Sequence, residues 1–307
     1  MSLFQKAERK KAKLRLGLCG PSGSGKTNSG LRIAAGIAPE GRIFVIDTEN
    51  DSATLEIGKP GIPEFFHAPL RPPFTPARYR EYINAAVQEG ADLIIVDSLS
   101  HAWSGSGGVL DMHDKTSKAQ KYNGNSWAAW REVTPEHNTL VDAILNCPCH
   151  VICTMRTKTA WEVVENDKGK KTPQKIGLKP EQREGMEYEF TCVLDLSVEG
   201  HIASASKDRT SLFDGVCFVP SAETGEKLIS WLSNGIDPEL ASNALFEQLK
   251  AAAEKIDNVF HLNNWGEKHR FDFDRLLPVH NQELVAFCKY KREELAKPKE
   301  TPEAKAA

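Results

Sequence analysis

The stretch LGLCGPSGSGKTNSGL, residues 16–31, sets Gly20, Gly25, Lys26 and Thr27 in the pattern G-x-x-x-x-G-K-[ST]. Leu14, Leu16 and Leu18 lead into it as a strand would, and the run from Leu31 to Ala38 after it suits a helix. That strand-loop-helix context gives the motif its meaning. Gly20, Gly23 and Gly25 let the backbone turn sharply and aim N–H groups at a polyanion, and the helix adds the positive end of its dipole. With Pro21, Ser22 and Ser24 completing it, the loop from Gly20 to Thr27 is expected to cradle a nucleoside triphosphate. Lys26 would reach the β and γ phosphates and the Thr27 hydroxyl would sit on Mg²⁺. A glycine-rich turn without a ligand is the competing reading, and it leaves the Lys-Thr pair unexplained.

Outward from the loop, the apolar runs at 13–20, 42–49, 92–100 and 150–156 are separated by helical patterns over 76–88 and 126–145. Such runs predict buried parallel strands, and ligands of such sheets bind outside the carboxyl ends. Asp97 ends Leu93-Ile94-Ile95-Val96 and is expected to help hold Mg²⁺ beside Thr27. Ser98 follows it, so a base for water must come from elsewhere. Glu49, at the tip of Ile46-Asp47-Thr48, is the candidate, with helix capping or plain solvation as its alternative.

Bulk composition bounds the possibilities. The 307 residues are 40% apolar, enough for one large α/β domain with an appendage. A formal charge of −3 excludes a uniformly basic nucleic-acid binder, leaving local patches. The seven cysteines lack C-x-x-C spacing and several lie in strand-like runs, which reads as reduced, buried thiols. Neither an apolar run of membrane-spanning length nor a signal-type leader is present, so a cytoplasmic protein with no membrane partner is expected. The expected organisation is a basic N-terminal segment (1–12), a core (13–236), a helical appendage (237–296, with helices at 238–256 and 282–295) and a polar, disordered tail (297–307).

In order along the chain, GPSGSGKT, IDTE and LIIVDS resemble the ATPase core of the RecA/RadA recombinase superfamily. Together with QREGMEYEF and SKDRTSLFDG they are similar to phage-encoded RecA-like ATPases, including single-strand annealing proteins of the Sak type. The resemblance covers roughly residues 13–235. It implies a RecA-like P-loop NTPase core with a mostly parallel sheet flanked by helices, and ATP with Mg²⁺ as cofactors. It further implies a homo-oligomeric ring or filament acting on single-stranded DNA in a bacterial host, with a single-strand DNA-binding protein as a further partner. Glu49 would serve as general base. Lys207 and Arg209 of the K-x-R element would reach the γ-phosphate of a neighbouring subunit, where an added cation is worth ~10³-fold or more in rate; a solvated turn is the plainer reading. The Gln that senses the γ-phosphate in RecA has no counterpart after the strand at 150–156, and Arg156 is the residue available there.

The polar segment 157–185 falls where RecA-like proteins place a mobile DNA loop. Lys158, Lys168, Lys170, Lys171 and Lys175 could track phosphates and Trp161 could stack on a base, with a solvated β-hairpin as the alternative. Lys6, Arg9, Lys10, Lys11, Lys13 and Arg15 form a second candidate patch. Phe4-Gln5-Lys6-Ala7 matches the Phe-x-x-Ala element by which recombinases link subunits. Trp127, Trp130 and Trp231 are read as core, and His101 and His113 have no ligand-spaced partner for a metal. A small-molecule kinase, or a nucleotide-gated switch without turnover, would share the phosphate loop.

Overall fold

A computed structural model describes residues 6–122, 124–165 and 171–297, with the backbone alone at 160–165 and 171–176. The chain groups into two compact units, one of residues 13–232 and one of the residues up to Ala12 with those from Ser233 onward.

In the first unit β1 (Arg15–Gly20) leads into helix α1 (Lys26–Ile37), followed by β2 (Ile43–Asp47), β3 (Phe66–Pro69), α2 (Pro76–Gln88) and β4 (Leu93–Asp97). Then come α3 (Ser100–Ser104), α4 (Val109–Lys118), α5 (Ser126–Leu145), β5 (His150–Glu165) and β6 (Lys171–Pro180). β7 (Cys192–Leu196), β8 (Ala203–Asp208), β9 (Cys217–Phe218) and α6 (Ala222–Ser233) complete it. The sheet order is β3-β2-β4-β5-β1-β7-β8-β9, with β6 paired to β5 alone. From β3 to β7 all neighbours run parallel, while β8 and β9 are antiparallel.

Every residue of β1, β2 and β4 is buried, as strands covered on both faces must be. Side chains alternate between two cores. Leu16, Leu18, Val45 and Ile95 pack with α1 and α6, while Cys19, Ile46, Ile94 and Val96 pack with α2 and α5. The helix starts follow local chemistry: Thr75 caps α2 ahead of Pro76, and Asn125 caps α5. The mostly parallel sheet flanked by helices, with a phosphate-type loop after β1 and a helical C-terminal region, is thus the α/β architecture expected.

Two readings need correction. Trp127 is 88% exposed, because α5 buries Ala129, Val133, His137, Leu140 and Ile144, and a residue two positions before Ala129 lies on the opposite face. Trp130 is half-buried and stacks on Trp103 and His113. Arg15 leaves the basic patch: it is buried at the amino edge of the sheet, donating to main-chain carbonyls and unavailable to any anion in solvent.

In the second unit α7 (Pro238–Glu254), α8 (Val259–Lys268), α9 (Arg270–Phe273) and α10 (Pro278–Leu295) enclose a small core of Phe246, Leu249, Leu276 and Leu284. Asp237 caps α7 through Glu239 and Leu240 N–H groups. The basic N-terminal segment joins this unit, with Lys10 bridging to Ile236.

Candidate nucleotide site

Parallel strands put their carboxyl ends on one edge, and register aligns them there: Asp47 pairs with Asp97, and Gly20 with Arg156. The loop after β1 therefore faces the tips of β2, β4 and β5. Gly25 sits at φ 81°, a left-handed conformation that favours glycine, and a Cβ there would meet the His201 ring at 3.0 Å. A Cβ on Gly20 would come within 2.3 Å of the Ser24 hydroxyl and 2.8 Å of the Leu196 carbonyl.

A cavity of about 630 Å³ opens over this loop, lined by Lys26, Thr27, Glu49, Asp97 and Arg156 among others. Lys26 Nζ donates to the Gly20 and Pro21 carbonyls at 2.9 Å each. Burial lowers its pKa, against the opposing pull of Asp97 and Glu49. Thr27 Oγ1 donates to Asp97 Oδ2 at 2.6 Å, and Thr154 donates to Oδ1. Burial pushes the Asp97 carboxyl up, while those two hydroxyls hold it down. Thr27 and Asp97 thus present adjacent hard oxygens, a donor set that suits Mg²⁺.

Glu49 faces the cavity from the tip of β2. The fully buried Asp47 fixes its backbone: Oδ1 accepts from Glu49 N–H at 2.6 Å, and Oδ2 from Ala53 N–H at 3.0 Å. Its carboxylate is gripped by Arg156, with Nε donating to Oε1 at 2.8 Å and Nη2 donating to Oε2. Burial alone would raise the Glu49 pKa, but the hydrogen bonds and charge of Arg156, with smaller help from His101 and Ser98, outweigh it and the net shift is downward. Arg156 is raised in return, by the same hydrogen bonds. Glu56 and Glu181 also line the cavity. Sequence reasoning missed both, as well as His201, because none sits in a motif and only the fold brings them in.

Lys207 and Arg209 do not line the cavity. Lys207 Nζ donates to the carbonyls of Glu187 and Tyr188, and Arg209 Nη2 to that of Tyr188 at 2.9 Å. The segment after Arg156 forms a β-hairpin, with β5 continuing to Glu165 and pairing antiparallel with β6. Lys158 stands directly across from Lys179, and Trp161 pairs in register with Lys175. Lys168 and Lys170, with Phe4, fall outside the described residues, as do the side chains of Trp161, Lys171 and Lys175. Among the described residues no group of His, Cys, Asp and Glu assembles a metal site of three or more such ligands, and no helix is long and apolar enough to cross a membrane.

A strand-loop-helix cradle with Thr27 hydrogen-bonded to the buried Asp97 beside its lysine defines a P-loop nucleotide-binding ATPase core. The AAA domain family matches residues 12–220, and the chain belongs to that family. Among solved structures, the crystal structure of the RadB recombinase is similar at 16% identity, covering 65% of this chain and 83% of that one with a TM-score of 0.33. A likeness that loose carries no argument. No curated protein matches the sequence.

Proposed function

We propose that the protein is a homo-oligomeric, Mg²⁺-dependent ATP hydrolase whose nucleotide state governs single-stranded DNA bound along the β5–β6 hairpin, in phage recombination or strand annealing. The observation that carries this reading is the Glu49–Arg156 pair. It joins the candidate general base to the root of the hairpin in one bidentate contact.

The chemistry follows from charge. Among the residues lining the cavity, Lys26 and Arg156 face four carboxylates, Glu49, Glu56, Asp97 and Glu181. A triphosphate cannot settle there on side-chain charge alone. Bound between Thr27 and Asp97, Mg²⁺ would supply the missing positive charge at the phosphate oxygens. The loop N–H groups and the α1 terminus would orient the phosphates, and Lys26 would exchange its two loop carbonyls for phosphate oxygens. Arg156 is drawn toward the γ-phosphate, which is the richer anion. Its departure frees Glu49 to polarise water and shifts the strand from which the hairpin grows. Lys207 and Arg209 would act on a neighbour's phosphate, consistent with their placement away from their own cavity. Lys158 opposite Lys179 is a like-charge cross-strand pair, unfavourable until an anion such as a phosphate backbone lies between them.

A second reading is favoured by the same contact. A Glu49 held permanently by Arg156 cannot activate water, which makes the protein a nucleotide-gated assembly switch. Glu49→Gln separates the two. The hydrolase reading expects phosphate release to fall about 100-fold or more while Mg²⁺-ATP affinity is kept, with wild-type release stimulated by single-stranded DNA. Equal turnover in wild type and variant would sink it.

A further inference from the structure

The helical unit carries a groove that plays no part in the nucleotide chemistry. α8, α9 and α10 enclose about 490 Å³, with Trp265 and Phe273 forming an aromatic wall whose rings meet edge to face at 5.9 Å. On α10, Val285, Cys288, Lys289 and Arg292 follow the i, i+3, i+4, i+7 spacing of one helix face, so apolar and cationic groups share one wall. Val285 is 50% exposed there. Arg270 adds a third cation, against one lining carboxylate, Asp274, among the described residues. The nearby ion pairs, His269–Asp272 and Arg275–Asp272, use other side chains.

Gly266, inside α8, lines the same groove. Its backbone is not left-handed, and a Cβ built on it meets nothing within 4 Å. Neither conformation nor packing therefore requires glycine, which even in the last turn of α8 is a poorer helix former than alanine, by up to about 1 kcal/mol. The space above it is kept open at a cost to the helix that the fold does not explain.

We propose that this groove docks an acidic peptide segment of a partner protein. One large apolar side chain sits over Gly266 against Trp265 and Phe273, and flanking carboxylates meet Arg270, Lys289 and Arg292. Aromatic and arginine side chains around a pocket are the composition of interface centres, and cations without an ion-pair partner gain most from an incoming anion. Among the described residues Arg270 has only the Phe271 ring beneath it, and Lys289 and Arg292 form no salt bridge. A nucleic acid would also answer the charge. It is disfavoured because a base needs an open aromatic face, and Trp265 already has ring contacts with His269 at 5.0 Å and with Phe273.

The test uses the full-length protein and a fluorescein-labelled peptide, Asp-Asp-Asp-Phe-Asp-Asp, followed by fluorescence anisotropy. Micromolar binding is expected, weakened about tenfold or more, or ~1.4 kcal/mol, when the peptide's Phe becomes Ser and in Gly266→Leu. The leucine fits the open space and favours the helix, so thermal stability should hold. Arg292→Glu, at an exposed position, should weaken binding comparably and serves if the leucine variant misfolds. Nucleotide affinity stays unchanged in both. The proposal is overturned if the wild type shows no binding, if Gly266→Leu and Arg292→Glu bind normally, if a Lys-Lys-Lys-Phe-Lys-Lys peptide binds as well, or if an oligothymidylate proves the tighter occupant of the Arg292-dependent site.

Discussion

At the amino edge of the sheet Arg15 donates through Nη1 to the Leu14 and Cys149 carbonyls at 2.8 Å each, and through Nη2 to those of Leu145 at 2.9 Å and Cys147. Beside it, neutral His150 accepts from the Leu14 N–H at 3.0 Å through Nδ1. At the carboxyl edge Lys26, Glu49 and Arg156 are half-buried charges with partners, and all three border an open cavity. Each edge carries a partnered arginine. What separates them is what supplies the partners of the terminal nitrogens. At the closed edge both Nη atoms of Arg15 are held by main-chain carbonyls, with only its buried Nε left over among the described residues, whereas the charges at the open edge can exchange a partner for a ligand.

The largest expected effect tests the closed edge. Leu145 ends α5, so the Arg15 cation also faces a helix C-terminus, a favourable position for it. Arg15→Met would strand several partly buried carbonyls, and at about 1–3 kcal/mol per unsatisfied group we expect a loss of about 3 kcal/mol or more in urea unfolding. Nucleotide affinity of the folded protein should be unchanged. A loss below ~1 kcal/mol would mean that water replaces the guanidinium easily and that the edges differ less than their geometry says.

His150 gives a second, pH-dependent measure. Burial, aided by the charges of Lys13 and Arg15, lowers its pKa from 6.5 to about 4. The unfolded chain takes up this proton near pH 6.5 and the folded chain refuses it until about 4, so stability falls as pH drops through that window. The full shift corresponds to at most ~3 kcal/mol. His150→Gln keeps an acceptor for the Leu14 N–H without titrating, and its unfolding free energy should vary less between those pH values. Identical acid limbs for variant and wild type would assign the loss to other groups.

This contrast also explains what could be read from the sequence. The phosphate loop was legible because its geometry is local: glycines, lysine and threonine act within eight consecutive residues. Asp97 and Glu49 were placed at strand tips because buried parallel strands announce their carboxyl ends. The grip of Arg156 on Glu49 was not legible, since it spans 107 positions and depends on β5 inserting between β4 and β1. Arg15 was misread for a related reason. Counting charges along a basic stretch cannot distinguish a solvated guanidinium from one buried under the end of α5. β3 went unread because it is a four-residue edge strand without a buried face, and the groove beside Gly266 because its walls come from three helices.

The smallest effect on stability should accompany the sharpest effect on coupling. In the Glu49–Arg156 pair the side chains are 22% and 43% exposed, so screening and side-chain entropy leave it worth at most ~1 kcal/mol to the fold. Arg156→Met should shift thermal unfolding only slightly. Because Arg156 makes the largest contribution against the effect of burial on Glu49, ahead of His101 and Ser98, the variant carboxyl should regain a higher pKa, and the hairpin should lose its connection to the cavity. The ratio of phosphate release with and without single-stranded DNA is then expected to collapse to about one, whatever happens to the basal rate. If stimulation by DNA survives in Arg156→Met, the coupling runs through another element, and Arg156 at the open edge is as purely structural as Arg15 at the closed one.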